Sequence, residues 1–298
     1  MRRERAIGSS AAPNGVDGAG VLAIDGKTLR RSFDRAAGRS ALHVVTAYGP
    51  GARVAIAQKA VPEGGNETLA ARALLETLAL DGLMVTGDAM HAQAETADVV
   101  LARGGDYLFA LKANRPAMLR EVEAFFADPP APLAAFETTD ADHGRIETRR
   151  CRVSHDVDWI FSDRRYAGEP AMPGLAAIAC VEAERILDGR AARSARYYLS
   201  SAPLTAEACA RAGRGHWAIE NSLHWVLDVT FDEDRARNRR DNGPENLAIL
   251  RRLTLNLPAR HARACPSPAS ASAPDGPTPS PVPLSAKCDS PVRQKLDD

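Results

Sequence analysis

The sequence predicts an α/β protein, a mixed sheet flanked by helices, with a β-rich insertion before the last long helical run. Three observations predict it. Val21–Leu29, Ala41–Tyr48 and Arg53–Ala60 are apolar runs separated by polar turns at Gly38 and Pro50-Gly51, and they read as successive strands. Helical and strand patterns then alternate as far as Lys112, as in βαβ units. From Phe136 to about Ser201 helical periodicity gives way to more strand-like runs.

The elements follow in order. Asn66–Leu80 carries Leu69, Ala73, Leu74, Leu78 and Leu80 at helical spacing. Leu83–Thr86 is a fourth strand, His91–Ala102 a helix closed by Gly104-Gly105, and Asp106–Lys112 a fifth strand. Pro116–Phe126 is a helix that Asp128-Pro129-Pro130 stops. Within the insertion, placed at about 136–201, Glu147–Val153, Leu175–Val181 and Arg196–Leu199 read as strands. Thr205–Val229 is a long helix with Leu223, Val226 and Leu227 on its core side, and Asn246–Leu257 is the last helix. The expected organisation is therefore a disordered leader at 1–20, a core at 21–260 and a disordered tail at 261–298. The tail follows from its eight prolines among Ser and Ala between His261 and Asp298.

Composition excludes several classes. The 298 residues hold 38 basic and 38 acidic side chains, so net charge alone does not select a nucleic-acid binder. Five scattered cysteines without a C-x-x-C pair read as reduced thiols of a cytoplasmic protein. No apolar run is long enough to span a membrane, and the basic start has no apolar stretch after it. There is no G-x-S-x-G elbow.

Three acids carry the chemical argument. Asp25 sits mid-strand, where Asp is depleted, Asp88 sits where a strand becomes a loop, and Glu220 sits on a helix beside Ile219. If the first and fourth strands are neighbours, Asp25 and Asp88 meet, and the late helix brings Glu220 across them. Carboxylates suit Mg²⁺ or Mn²⁺, and a pair of such ions supports in-line displacement at phosphorus. A rival set, His216, Glu220, His224 and Asp228, recurs every four residues, and His with carboxylate suits zinc. The helical two-histidine zinc motif has Glu directly after its first His, however, and Trp217 stands there. Basic groups border the acids: Lys27, Arg30 and Arg31; Lys112 and Arg115; His143, Arg145, Arg149 and Arg150; Arg235, Arg237, Arg239 and Arg240. Arg grips phosphate by paired hydrogen bonds and Lys acts as a point charge; any one cluster reads as a solvated face, the four together as a DNA track, with Asp232-Glu233-Asp234 cutting the field of the last. Trp217 and Trp225 offer either core packing or base stacking.

The chain resembles the H-repeat-associated branch of the DDE insertion-sequence transposases. The segments that carry the resemblance are Ala23–Arg30, Asn66-Glu67, Thr86–Gln93, Gly104–Lys112, His143–Arg149, His216–Asp234 and Pro244–Asn256, in that order. It implies a ribonuclease-H-like core with the β-rich insertion between the second and third acids. It also implies Asp25, Asp88 and Glu220 as the DDE triad, holding two Mg²⁺ ions, with Mn²⁺ as the substitute. Lys27, Arg30, Lys112, His143, Arg145, His216, Trp217 and Asn221 are the DNA contacts it suggests. The partners it implies are the element's terminal repeats, target DNA and further copies of the chain. The activity is cleavage at element ends followed by strand transfer.

Two departures qualify this expectation. Family members generally carry a helical N-terminal domain and a basic ending, whereas twenty dissimilar residues precede Val21 and a Pro-rich tail runs from about His261, so a truncated or decayed copy is one expectation. In the broader pattern Y-x₂-R-x₃-E-x₆-K, Gly213, His216 and Leu227 occupy the Tyr, Arg and Lys positions. A non-catalytic DNA-binding remnant and a related metal-dependent nuclease are the alternatives.

Overall fold

A computed structural model describes residues 20–142, 145–161, 171–187 and 190–264. The expected leader and tail therefore fall almost entirely outside the described residues, as does His143.

Strands β1 (Val21–Thr28), β2 (His43–Gly49) and β3 (Val54–Ala60) form an antiparallel meander. Helix α1 (Glu67–Leu75) then leads to β4 (Met84–Gly87), and α2 (Ala94–Ala102) leads to β5 (Asp106–Leu111). Asn66 caps α1 by accepting the Thr68 N–H at 2.8 Å, which sets where the helix starts. Helix α3 (Pro116–Ala127) begins on a proline, where the missing N–H costs nothing.

The remaining strands are β6 (Ala135–Asp142), β7 (Arg145–Ser154), β8 (Ala177–Leu187) and β9 (Arg190–Ser200). They form an antiparallel meander whose β9 pairs with β5. Among the described residues one nine-stranded sheet results, in the order β3-β2-β1-β4-β5-β9-β8-β7-β6. The insertion thus extends the central sheet. Strand β6 had no apolar run to announce it: its sequence is AFETTDAD. The outer part of β9 and the last three residues of β8 are exposed and owe their extension to ladder pairing from Ala177↔Ser200 to Leu187↔Arg190.

Strand β1 pairs parallel with β4, with Val21↔Met84, Leu22↔Val85 and Ala23↔Thr86 opposed. The two-residue period of a strand then divides the residues between faces. Leu22, Ile24 and Val85 enter the main core with α1, α2 and α3. Burying each such side chain is worth roughly 1.5–3 kcal/mol. Val21, Ala23, Met84 and Thr86 face the opposite way, toward α4 (Ala206–Ala218) and its continuation. Ala206, Cys209, Ala212 and Gly213 are the buried residues of α4, and their small size lets it lie close to the sheet.

The predicted helix Thr205–Val229 is interrupted. Helix α4 passes into a π-helical turn, Ile219–His224, before α5 (Trp225–Val229). Ile219, Leu223 and Leu227, spaced by four, join Ala23 and Tyr48 in one buried cluster. Spacing by four drifts round a regular α-helix, and one wider turn takes back that drift. Helix α6 (Gly243–Ala264) closes the far edge. The Asn256 amide donates to the Ala55 carbonyl and accepts its N–H at 2.8 and 2.9 Å, which covers part of the outer edge of β3. No described helix is long and apolar enough to cross a membrane.

Candidate active site

Asp25 and Asp88 each lie two residues beyond the opposed pair Ala23↔Thr86, at the same end of neighbouring parallel strands. The two-residue period puts both on the α4 side of the sheet. Parallel neighbours run about 4.8 Å apart as far as Ala23↔Thr86, and the Asp88 charge acts on Asp25. Glu220 lies exposed on the π turn that crosses this face. Such turns recur at functional sites because they displace side chains from regular helical positions.

The charges of these acids register on one another. Burial, with the backbone N–H of Gly26 opposing it, and the nearby charges of Glu67, Glu220 and Asp88 push the Asp25 carboxyl up to about 7. His224 Nδ1 stands 3.4 Å from Asp25 Oδ2. Burial, reinforced by Lys27 and Arg252, drives His224 down to about 3. His216 Nδ1 lies 3.3 Å from Thr86 Oγ1, and burial takes it down to about 4 against the pull of Asp88. Both imidazoles are therefore neutral at neutral pH. Asp88 also caps the short 3₁₀ turn Ala89–His91, its Oδ1 accepting the Met90 N–H at 2.9 Å.

The donor chemistry fits a hard divalent cation: carboxylates that raise one another's affinity for positive charge, with no Lys or Arg paired to Asp25 or Asp88 in the described contacts. As placed, no three His, Cys, Asp or Glu side chains among the described residues stand close enough together to hold an ion. Asp25 faces His224, one Asp88 oxygen is committed to its cap, and Glu220 is exposed. The rival zinc set is dispersed as well: His224 turns to Asp25, His216 to Thr86, and Asp228 to Lys27.

Lys27 lies buried on β1, its Nζ 2.7 Å from Asp228 and 3.5 Å from Asp234. Arg30 is exposed, with Nε 3.2 Å from Asp234. Lys112 is exposed just past β5, close enough to depress His216. Arg145, Trp217 and Asn221 line a groove of about 1030 Å³ between the insertion and α4. Arg145, Arg149, Arg185, Arg193, Arg196, Arg211 and Arg214 line it against two acids, Asp140 and Glu147, so its net charge is positive. Glu147 is buried beneath Arg145 and Arg149, which outweigh its desolvation and hold its carboxyl below the usual range. The Arg196 guanidinium lies 4.2 Å from the centre of the Trp217 ring.

Glu67 escaped the sequence reading as a site residue. It opens α1, and its carboxylate meets His43 Nε2 at 2.6 Å and His91 Nε2 at 3.3 Å. Burial would raise it, but the two histidines bring it down to about 2. The signal available was the Asn66-Glu67 pair, a cap followed by an acid, which local capping preferences explain without any site.

Comparison with known proteins identifies the family. A family profile described as "Transposase DDE domain" matches residues 17–257. "Putative protein YbfL" of Escherichia coli K12 is 35% identical over 249 residues, covering 80% of this chain and 63% of that protein. "H repeat-associated putative transposase YhhI" of the same strain has the same identity and coverage. The chain therefore spans about 63% of the length of these relatives. The solved piggyBac transposase synaptic complex with hairpin DNA aligns with 85% of this chain and 55% of that chain, at a TM-score of 0.35 and 8% identity. With that profile matching residues 17–257 of 298, the chain belongs to the DDE transposase-domain family.

Proposed function

We propose that this chain is the core of an insertion-sequence transposase that cuts phosphodiester bonds at element ends and transfers the freed strand to target DNA. The observation that carries the reading is that Asp25 and Asp88 each lie two residues past the opposed pair Ala23↔Thr86 of parallel neighbours, on the face crossed by the π turn of Glu220.

Asp25, Asp88 and Glu220 would hold Mg²⁺ or Mn²⁺, two ions in the full reading. A cation there supplies the positive charge that activates water and neutralises the leaving oxygen. Glu220 is exposed, so it is the acid freest to move onto a site formed by the two aspartates. Neutral His224 orients the Asp25 carboxylate without competing with a cation through added positive charge. The arginine-lined groove includes Asn221 and Ser222, next to Glu220 in the chain, and would hold a phosphate backbone beside that acid. The Lys112 charge, like that of Asp88, acts on His216. Further copies of the chain would complete the assembly that joins two ends.

Purified protein incubated with pre-cut element ends and plasmid target should join the two in Mg²⁺. Nicking without joining supports a metal-dependent nuclease instead. Salt-sensitive binding alone, indifferent to sequence, supports a DNA-binding remnant.

A further inference from the structure

Two glycines flank the two aspartates, and the space each leaves is filled by the same network. A Cβ on Gly26, next to Asp25, would lie 2.4 Å from the Glu67 carboxyl carbon and 2.5 Å from His43 Nε2. A Cβ on Gly87, next to Asp88, would lie 3.1 Å from the Cβ of His91. His43 is itself held to β1, its Nδ1 2.7 Å from Thr28 Oγ1. His91 is the last residue of the turn that Asp88 caps, and its side chain is 1% exposed. Glu67 lies between the two histidines, with one carboxylate oxygen toward each.

We propose that Glu67 is a positioning residue: it is hydrogen-bonded to His43 on the strand beside that of Asp25 and stands 3.3 Å from buried His91 on the Asp88 turn, and so it fixes the spacing of the two acids. The inference rests on the reading of Asp25 and Asp88 as metal-holding residues. Strands β1 and β4 are hydrogen-bonded only as far as Ala23↔Thr86, two residues short of the acids. Beyond that point the ladder no longer sets their separation, and the Thr28–His43–Glu67–His91 chain spans the gap. Groups that orient metal-binding side chains in this way are worth about 10–100-fold in metal affinity.

The test titrates Mn²⁺ alone into DNA-free protein and follows free Mn²⁺ by electron paramagnetic resonance. Glu67→Gln and His43→Asn should each weaken Mn²⁺ binding about tenfold or more, with melting temperatures near that of the wild type. His43→Asn is the decisive variant, because it removes a tether and leaves the Glu67 charge in place. Gly26→Ala, which displaces the carboxylate by crowding, should act in the same direction and serves if either variant fails to fold. Wild-type affinity in folded His43→Asn and Gly26→Ala, with Asp25→Asn deficient, overturns the positioning role and leaves the metal site standing. Absence of Mn²⁺ binding by the wild type overturns the metal site and the positioning role together.

Discussion

Lys27 on the first strand and Asp228 on α5 meet at 2.7 Å across 201 positions of sequence. Asp234 approaches the same ammonium at 3.5 Å. This pair ties the π-turn region to the strand that bears Asp25, and it occupies a lysine that sequence suggested for DNA.

Removing Lys27 should therefore destabilise the fold before it affects DNA binding. Lys27→Met leaves Asp228 and Asp234 without their shared cation, and a loss of about 2–4 kcal/mol is expected, less than for a fully buried pair because Asp228 is partly exposed. The shift in denaturation midpoint measures it. Adding Asp228→Asn should recover part of the loss, and strictly additive losses would show that the two side chains are not coupled.

In EDTA, the pH dependence of stability should differ between the wild type and Asp25→Asn. Burial and the charges of Glu67, Glu220 and Asp88 raise Asp25 from 3.8 to about 7 in the fold. A raised carboxyl favours the folded state below the unfolded pKa and loses that advantage as pH rises toward 7. His216 and His224, depressed to about 4 and 3, act with the opposite sign, and their advantage is complete above about 6.5. Asp25→Asn removes only the first slope, so its stability relative to wild type should climb between about pH 4 and 7. Urea midpoints across this range are the measurement, and parallel profiles would contradict the raised carboxyl.

The arginine groove makes a salt-dependence prediction. Arg149→Ala with Arg185→Ala should weaken binding to all DNA sequences alike. Each phosphate that the double variant no longer neutralises should make the slope of log K against log salt shallower by about 0.9. Both residues line the groove beneath which Glu147 is buried. An unchanged slope would place the DNA elsewhere.

Much of this arrangement was legible in the sequence. The strand–helix alternation from Val21 to Lys112 matched β1–β5 to within a few residues at strand ends, because their apolar faces are distinct. The adjacency of strands one and four entered the sequence reading only as a condition, and the structure meets it. Long-range charge pairing was not legible: the partners of Lys27 lie at 228 and 234, and Glu67 meets its histidines at 43 and 91. The π turn was hidden because a spacing of four among Ile219, Leu223 and Leu227 also fits an ordinary helix. Strand β6 and the exposed part of β9 lack the alternation by which strands are recognised.

Asn256 should protect the sheet edge. Asn256→Ala removes both of its bonds to Ala55, which should cost about 1–3 kcal/mol. Hydrogen exchange at the Ala55 amide should accelerate accordingly, and unaltered protection there would show that the edge is held by other contacts.

The central claim is that Asp25, Asp88 and Glu220 act together on a DNA backbone. Its most direct measurement is nicking of end-bearing DNA in Mg²⁺ by the wild type and by Asp25→Asn, Asp88→Asn and Glu220→Gln, with folding checked by circular dichroism. Loss of nicking in all three folded variants, with DNA binding retained, is the predicted result; nicking by any of them at the wild-type rate would contradict the claim.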